Sequence, residues 1–294
     1  MQHRAFNFYA TPGRFTSLDD AEFSSVDIRQ VVDVVQGLLI YDLVAGPFYG
    51  VELTSAQADA IHERDSAALL DLVRAIDARP LDVARAPANR VGARCHAFSR
   101  MTVALLRAAG VPARSRCGFG AYFRRGWFED HWVAEFWNAT DGCWQMVDAQ
   151  LDATWREKIG FRGDPLAISA AEFVTAGHAW QAWRRGELDA DHCGLSAVNE
   201  HGAHWIAGNL RLDFASLNKV EMLPWDVWGG GWAPGEQPTD AQLALFDDVA
   251  ALTVDPDARF DELRGRYTSD DSLRMDGTVF NVLRGQFETL QADG

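Results

Sequence analysis

Cys95, His131 and Asp148 follow one another along the chain as a thiol, an imidazole and a carboxylate, the three groups of a thiol-nucleophile enzyme. A free cysteine titrates near pH 8.5, so at neutral pH little of it is the reactive thiolate. A helix N-terminus places about half a positive charge beside such a sulfur, and a neighbouring imidazolium adds more. The sequence predicts a helix over 94–109 with Cys95 just inside its start, where Arg94 and His96 are expected to add positive potential. Gly92, three residues earlier, is expected to let backbone approach a substrate carbonyl. In these roles Cys95 attacks, His131 protonates the leaving amine and Asp148 fixes the ring tautomer. The backbone N–H of Cys95 is the first oxyanion donor, and Asn89 or the Trp132 indole is expected to supply the second. Gln150, two residues past Asp148, is expected to line the cleft. Each residue alone has a plainer reading: a core cysteine, a satisfied histidine, a turn aspartate. The ordered set carries the functional one.

The elements that must position these groups are legible around them. Cys95, Phe98, Met101, Thr102, Leu105 and Leu106 recur at helical spacing, and Gly110 and Pro112 stop the helix. Strand-like runs follow at about 113–123, 131–138 and 143–148, with a tight hairpin turn at Asp141-Gly142. Residue sums across that turn pair 148 with about 135, bringing the carboxylate near the start of the histidine strand. A helix followed by antiparallel strands is an α+β pattern. The chain is expected to form one compact unit, made of a helical segment 1–90, a catalytic core 91–155 and a mainly helical, Trp-rich segment 156–294. In the first segment, residues 1–20 read as irregular. Ser24 or Ser25 caps a helix through Leu43, Thr54 or Ser55 starts another, and Asp65 or Ser66 a third. Residues 81–93 read as a loop. In the last segment Ser169 caps a helix carrying Phe173, Trp180 and Trp183, and 208–223 is apolar. Thr239 and Gln242 form a capping box, and a short helix lies near 259–266.

The 294 residues are 48% hydrophobic and 23% charged, enough for a sizeable core. Acidic residues outnumber basic ones 42 to 27, a net charge of −15, which disfavours nucleic acid and anionic membranes as partners. Four cysteines in a chain of this length, no signal-like N-terminus and no apolar run of membrane-spanning length point to a cytoplasmic protein with free thiols. His201 and His204 form H-x-x-H near His192 and Cys193, without a recognised metal-ligand spacing; no metal and no cofactor is expected. The tryptophans of 180–232 read as packing.

The run from Cys95 through LLRAAGVPAR at 105–114, His131-Trp132-Val133-Ala134-Glu135, Trp144 and Val147-Asp148 resembles the core of the transglutaminase-like superfamily, a relative of papain-like thiol enzymes. The likeness covers roughly 60 residues and is that of a bacterial-type single-core member. It implies a papain-like α+β core with the nucleophile helix packed on an antiparallel sheet, and Cys95, His131 and Asp148 as the triad. Calcium-dependent cross-linkers and zinc-bearing peptide N-glycanases fit less well, since neither an EF-hand loop nor a CxxC pair is present. The expected function is hydrolysis of a small-molecule or peptide amide through a thioester. The alternatives are acyl transfer to an amine and a non-catalytic binding module on the same fold.

Overall fold

The computed structural model describes residues 2–18, 23–275 and 277–290. In chain order it begins with α1 (Gln2–Tyr9), α2 (Ile28–Leu38), β1 (Leu39–Tyr41), α3 (Ala45–Tyr49), α4 (Ser55–Asp59) and α5 (Ser66–Ile76). There follow β2 (Val91–Ala93), α6 (Cys95–Ala108), β3 (Ala113–Gly120), β4 (Phe128–Asn138), β5 (Cys143–Val147) and α7 (Ala153–Ile159). Next come β6 (Phe173–Thr175), α8 (Ala176–Arg184), β7 (Cys193–Leu195), β8 (Glu200–His201), α9 (Ala203–Leu217) and β9 (Asp226–Val227). The chain continues with α10 (Asp240–Val254), α11 (Phe260–Ser269), β10 (Thr278–Asn281) and β11 (Gln286–Thr289). The class is α+β, as expected. Among the described residues no helix is long and apolar enough to cross a membrane.

Several local expectations need correction. Residues 2–9 are helical rather than irregular; Met1, Asp19 and Asp20 lie outside the described residues. Asp27 caps α2, accepting from the Arg29 N–H at 2.9 Å, and the helix ends at Leu38 because Leu39–Tyr41 pairs in parallel with Val91–Ala93. The expected loop 81–93 therefore ends in a strand. Phe173 lies in β6, paired antiparallel with β3, not in the helix that follows. The C-terminal segment carries a β11-β10-β9 sheet that its polar sequence did not announce. The caps at Thr54, Asp65 and Thr239 stand where predicted.

The chain divides into two units. The first comprises Phe6–Ser115 and Trp132–Ser169; the second comprises Met1–Ala5, Arg116–His131 and Ala170–Gly294. These limits do not coincide with the expected segment boundaries at 90/91 and 155/156. In the second unit β6 pairs antiparallel with β3 and β7 in parallel with β4, and in the first β5 pairs antiparallel with β4.

In the first unit α6 is buried along nearly its whole length. Its apolar residues Ala97, Met101 and Leu105 join Val31, Val35 and Leu38 of α2, Leu69 and Val73 of α5, and Ala134, Phe136 and Val147 of the β4–β5 hairpin. Each fully buried side chain of this size contributes roughly 1.5–3 kcal/mol. A helix buried on all sides must also satisfy its polar residues. Ser99 Oγ donates to the Val133 carbonyl at 2.7 Å, Thr102 Oγ1 to the Phe98 carbonyl at 2.8 Å, and Arg107 Nε to the Ala113 carbonyl at 2.9 Å.

In the second unit α9 is the buried helix. It packs with α8 and α10, where Trp180 lies 4.9 Å from Trp183 and 5.4 Å from Phe246, ring centre to ring centre. Trp180 Nε1 donates to Asp247 at 2.8 Å, so this part of the tryptophan cluster is packing, as expected.

Candidate active site

Cys95 is the first residue of α6 and 8% exposed. Arg94 precedes it in extended backbone conformation, and its carbonyl accepts from the Ala97 N–H at 2.9 Å, opening the helix at the thiol. The first-turn N–H groups of a helix have no helical acceptor, so their partial positive charge faces the sulfur. The neighbouring side chains do not act as the sequence suggests. Arg94 forms a two-point ion pair with Asp42, with Nη2 to Oδ2 at 2.9 Å, which offsets its charge. Burial pushes the His96 imidazole well below its ordinary range, and the charges of Arg100, Arg94 and Arg64 push it further. His96 is therefore neutral at pH 7 and adds no charge, a correction to the expected contribution.

Gly92 also has a different role from the one predicted. A Cβ there would lie 2.5 Å from the Gln57 carbonyl oxygen, so the glycine lets β2 pack against backbone of α4 rather than a substrate. Gln57 Nε2 meanwhile donates to the Ala88 and Arg90 carbonyls at 2.9 and 2.8 Å, which fixes the strand leading to Cys95. Gly92→Ala must push two backbones apart and is expected to lower stability by about 1–3 kcal/mol. Urea denaturation measures this; an unchanged midpoint would show that the strand yields freely.

The β4–β5 hairpin pairs Ala134 with Val147 and Glu135 with Met146, two residues away from the predicted register. A shift of two keeps every side chain on its face. Asp148 follows immediately, 1% exposed, with its N–H donating to the Pro165 carbonyl at 2.8 Å and its Oδ1 accepting from the Gln150 N–H at 3.0 Å. Gln150 and Trp132 are buried, and neither Gln150 Oε1 nor Trp132 Nε1 has a hydrogen-bond partner among the described residues. Asn89 is exposed and its Nδ2 donates to Asp77 at 3.5 Å. Ser99, which ties α6 to the histidine strand, escaped the sequence reading; its signal was a hydroxyl one helical turn beyond Cys95.

These residues belong to the first unit, and His131 belongs to the second. His131 does not open its strand but stands fourth in β4, 2% exposed. Three aromatic rings meet it edge to face: Phe123 at 4.8 Å, Tyr122 at 5.9 Å and Phe173 at 6.3 Å between centroids. Gly120 makes room for this box, since a Cβ there would lie 2.8 Å from the Phe123 ring. Edge-to-face rings hold an imidazole in orientation and keep water from it.

The acidic pair before His131 is likewise structured. Glu129 accepts from the Ser196 N–H at 2.9 Å, and Asp130 from Asn209 Nδ2 at 2.8 Å. Burial pushes the Asp130 carboxyl up to about 6, against the opposing pull of Asn209 and His131. His192 and His201 sit beside Asp189 and Asp191 at 3.1 and 3.5 Å. Among the described residues no group of three or more His, Cys, Asp or Glu side chains is placed to hold a metal ion.

Residues 66–149 match the model of the transglutaminase-like superfamily, a span that contains Cys95, His131 and Asp148. No curated protein matches the chain. Among solved structures, one from Cytophaga hutchinsonii, described as a "Putative Cysteine Protease", is similar at 17% identity and a TM-score of 0.21. That likeness covers 59% of this chain and 50% of the other, so the chain spans about half the length of that protein. Residues 66–149, which hold the buried helix and the antiparallel hairpin, are similar to the core of the transglutaminase-like superfamily.

Proposed function

We propose that the protein hydrolyses an amide bond of a small molecule or peptide through a thioester on Cys95. The thiolate attacks the amide carbonyl carbon, and His131 gives a proton to the departing amine. Water, deprotonated by His131, then attacks the thioester carbon; the acid leaves and the thiol is restored. Asp148 orients the His131 ring. The developing oxyanion is met by the Cys95 backbone N–H and by Trp132 Nε1, a buried donor with no other partner among the described residues. The observation that carries this reading is the place of Cys95 as the first residue of a buried helix, inside the span matched by the superfamily.

The test is selective alkylation. Cys143 is exposed, whereas Cys95, Cys117 and Cys193 are buried, and burial pushes the Cys193 thiol up to about 12. Access alone favours Cys143, so activation is the only reason for iodoacetamide to modify Cys95 first at pH 6.5. Peptide mapping is expected to find Cys95 labelled ahead of Cys143, with Cys117 and Cys193 protected. Labelling of Cys143 alone, at the rate of an ordinary thiol, would remove the basis for a nucleophilic Cys95. The fate of the thioester is read separately by adding amines to an acyl p-nitroanilide assay. Free acid as sole product supports hydrolysis, and a new amide by mass spectrometry supports transfer.

A further inference from the structure

Asp130 is set into a small polar cluster beside His131 but outside the triad. The Asn209 side chain, reaching from α9, donates to Asp130 Oδ1 at 2.8 Å and to the Gly118 carbonyl at 3.2 Å. One amide therefore clamps β3 and β4 together at the residue before the histidine. Successive residues of a strand point to opposite faces, so the carboxyl faces α9 while the imidazole faces Tyr122, Phe123 and Phe173. A carboxylate one residue away remains close enough to act on an imidazolium through partly buried protein.

Resting on the thiol-hydrolase reading above, we infer that Asp130 is a positioning residue: clamped by Asn209, it holds the His131 end of β4 and favours the charged imidazole that the thiolate requires. The groups around it are few. On its own strand Glu129 opposes its ionisation and His131 favours it; on α9 Asn209 and Trp205 favour it. On β3 the clamp ends at a neutral carbonyl, and of the three rings that meet His131 the titratable one is Tyr122. A carboxylate here also opposes folding. The folded carboxyl keeps its proton up to about pH 6, while an unfolded aspartate loses it near 3.9. Stability therefore falls as pH rises through that window. An asparagine would avoid this cost while its amide oxygen could still accept from Asn209 Nδ2.

The test is an NMR titration of the His131 ring in the full chain. In wild type the ring signal is expected to show its own inflection and a second, smaller one where Asp130 titrates. Asp130→Asn should remove the second and lower the His131 midpoint by about half a pH unit. Asp130→Glu, which keeps the charge, should restore the midpoint. Asp130→Asn should also match wild type in urea midpoint below pH 4 and exceed it above pH 6. A His131 midpoint unchanged in Asp130→Asn, or a wild-type ring with a single inflection, overturns the inference; the wild-type arm decides even if a variant misfolds. Failure here leaves Cys95 alkylation untouched, and failure there leaves this titration untouched.

Discussion

Replacing Cys95 with Ala is expected to reduce cleavage of any anilide the wild type accepts by at least about 10⁴-fold while leaving the protein folded. The sulfur is the only atom of the proposed site that forms a bond to the acyl group, so nothing remaining can replace it. Its loss removes one atom from a position already 8% exposed at a helix start, and α6 keeps its anchors at Ser99, Thr102 and Arg107. The cavity is small and should cost about 1 kcal/mol. Asp148→Asn forms the companion case. An amide oxygen can still accept from the Gln150 N–H, so the turn survives, but the charge that steadies an imidazolium is gone. Turnover is expected to fall by about 10³-fold or more with little change in urea midpoint. The assay follows released nitroaniline, with circular dichroism as the check on folding. Retained turnover in Cys95→Ala would remove the thioester mechanism altogether.

How far the sequence showed this arrangement depends on the range of the interactions involved. The helix from Cys95 and the hairpin carrying Asp148 were legible because a 3.6-residue period and an alternating aromatic strand are local signals. β1 was not, because Leu39 and Ile40 extend the apolar stripe of the preceding helix; only pairing with Val91 and Gly92, some 50 residues on, makes them a strand. Phe173 was given to a helix for the same reason. The residues flanking Cys95 were read as charged because Arg and His ordinarily are. Burial, which makes His96 neutral, and Asp42, which offsets Arg94, are tertiary facts. Asn209 was visible only as a polar residue in an apolar run, and Glu129 and Asp130 only as two carboxylates ahead of a strand-like run. What they hold could not be inferred until the strands they bridge were placed.

The largest loss of stability is expected at Asp213, one helical turn beyond Asn209 on α9. Its carboxylate is fully buried and meets Arg116 in two parallel contacts, Nε to Oδ1 at 3.0 Å and Nη2 to Oδ2 at 2.9 Å. Oδ1 also accepts from the Cys117 N–H at 2.9 Å, and Arg116 Nη2 donates to the Thr253 carbonyl at 3.0 Å. Asp213→Ala leaves a guanidinium and a backbone N–H in a dry interior and should cost about 3–5 kcal/mol. The double variant Arg116→Met with Asp213→Ala removes the stranded charge and should regain much of that, since a buried ion pair contributes little net stability over apolar groups of similar volume. Recovery should stop short of complete, because the Cys117 N–H still lacks an acceptor, a deficit of about 1–3 kcal/mol. Urea denaturation of the two single variants and the double forms a cycle that isolates the coupling. Additive losses would show that the two side chains act independently. A strongly non-additive cycle is the expected result, because the two side chains form one buried ion pair whose second member is stranded when the first is removed.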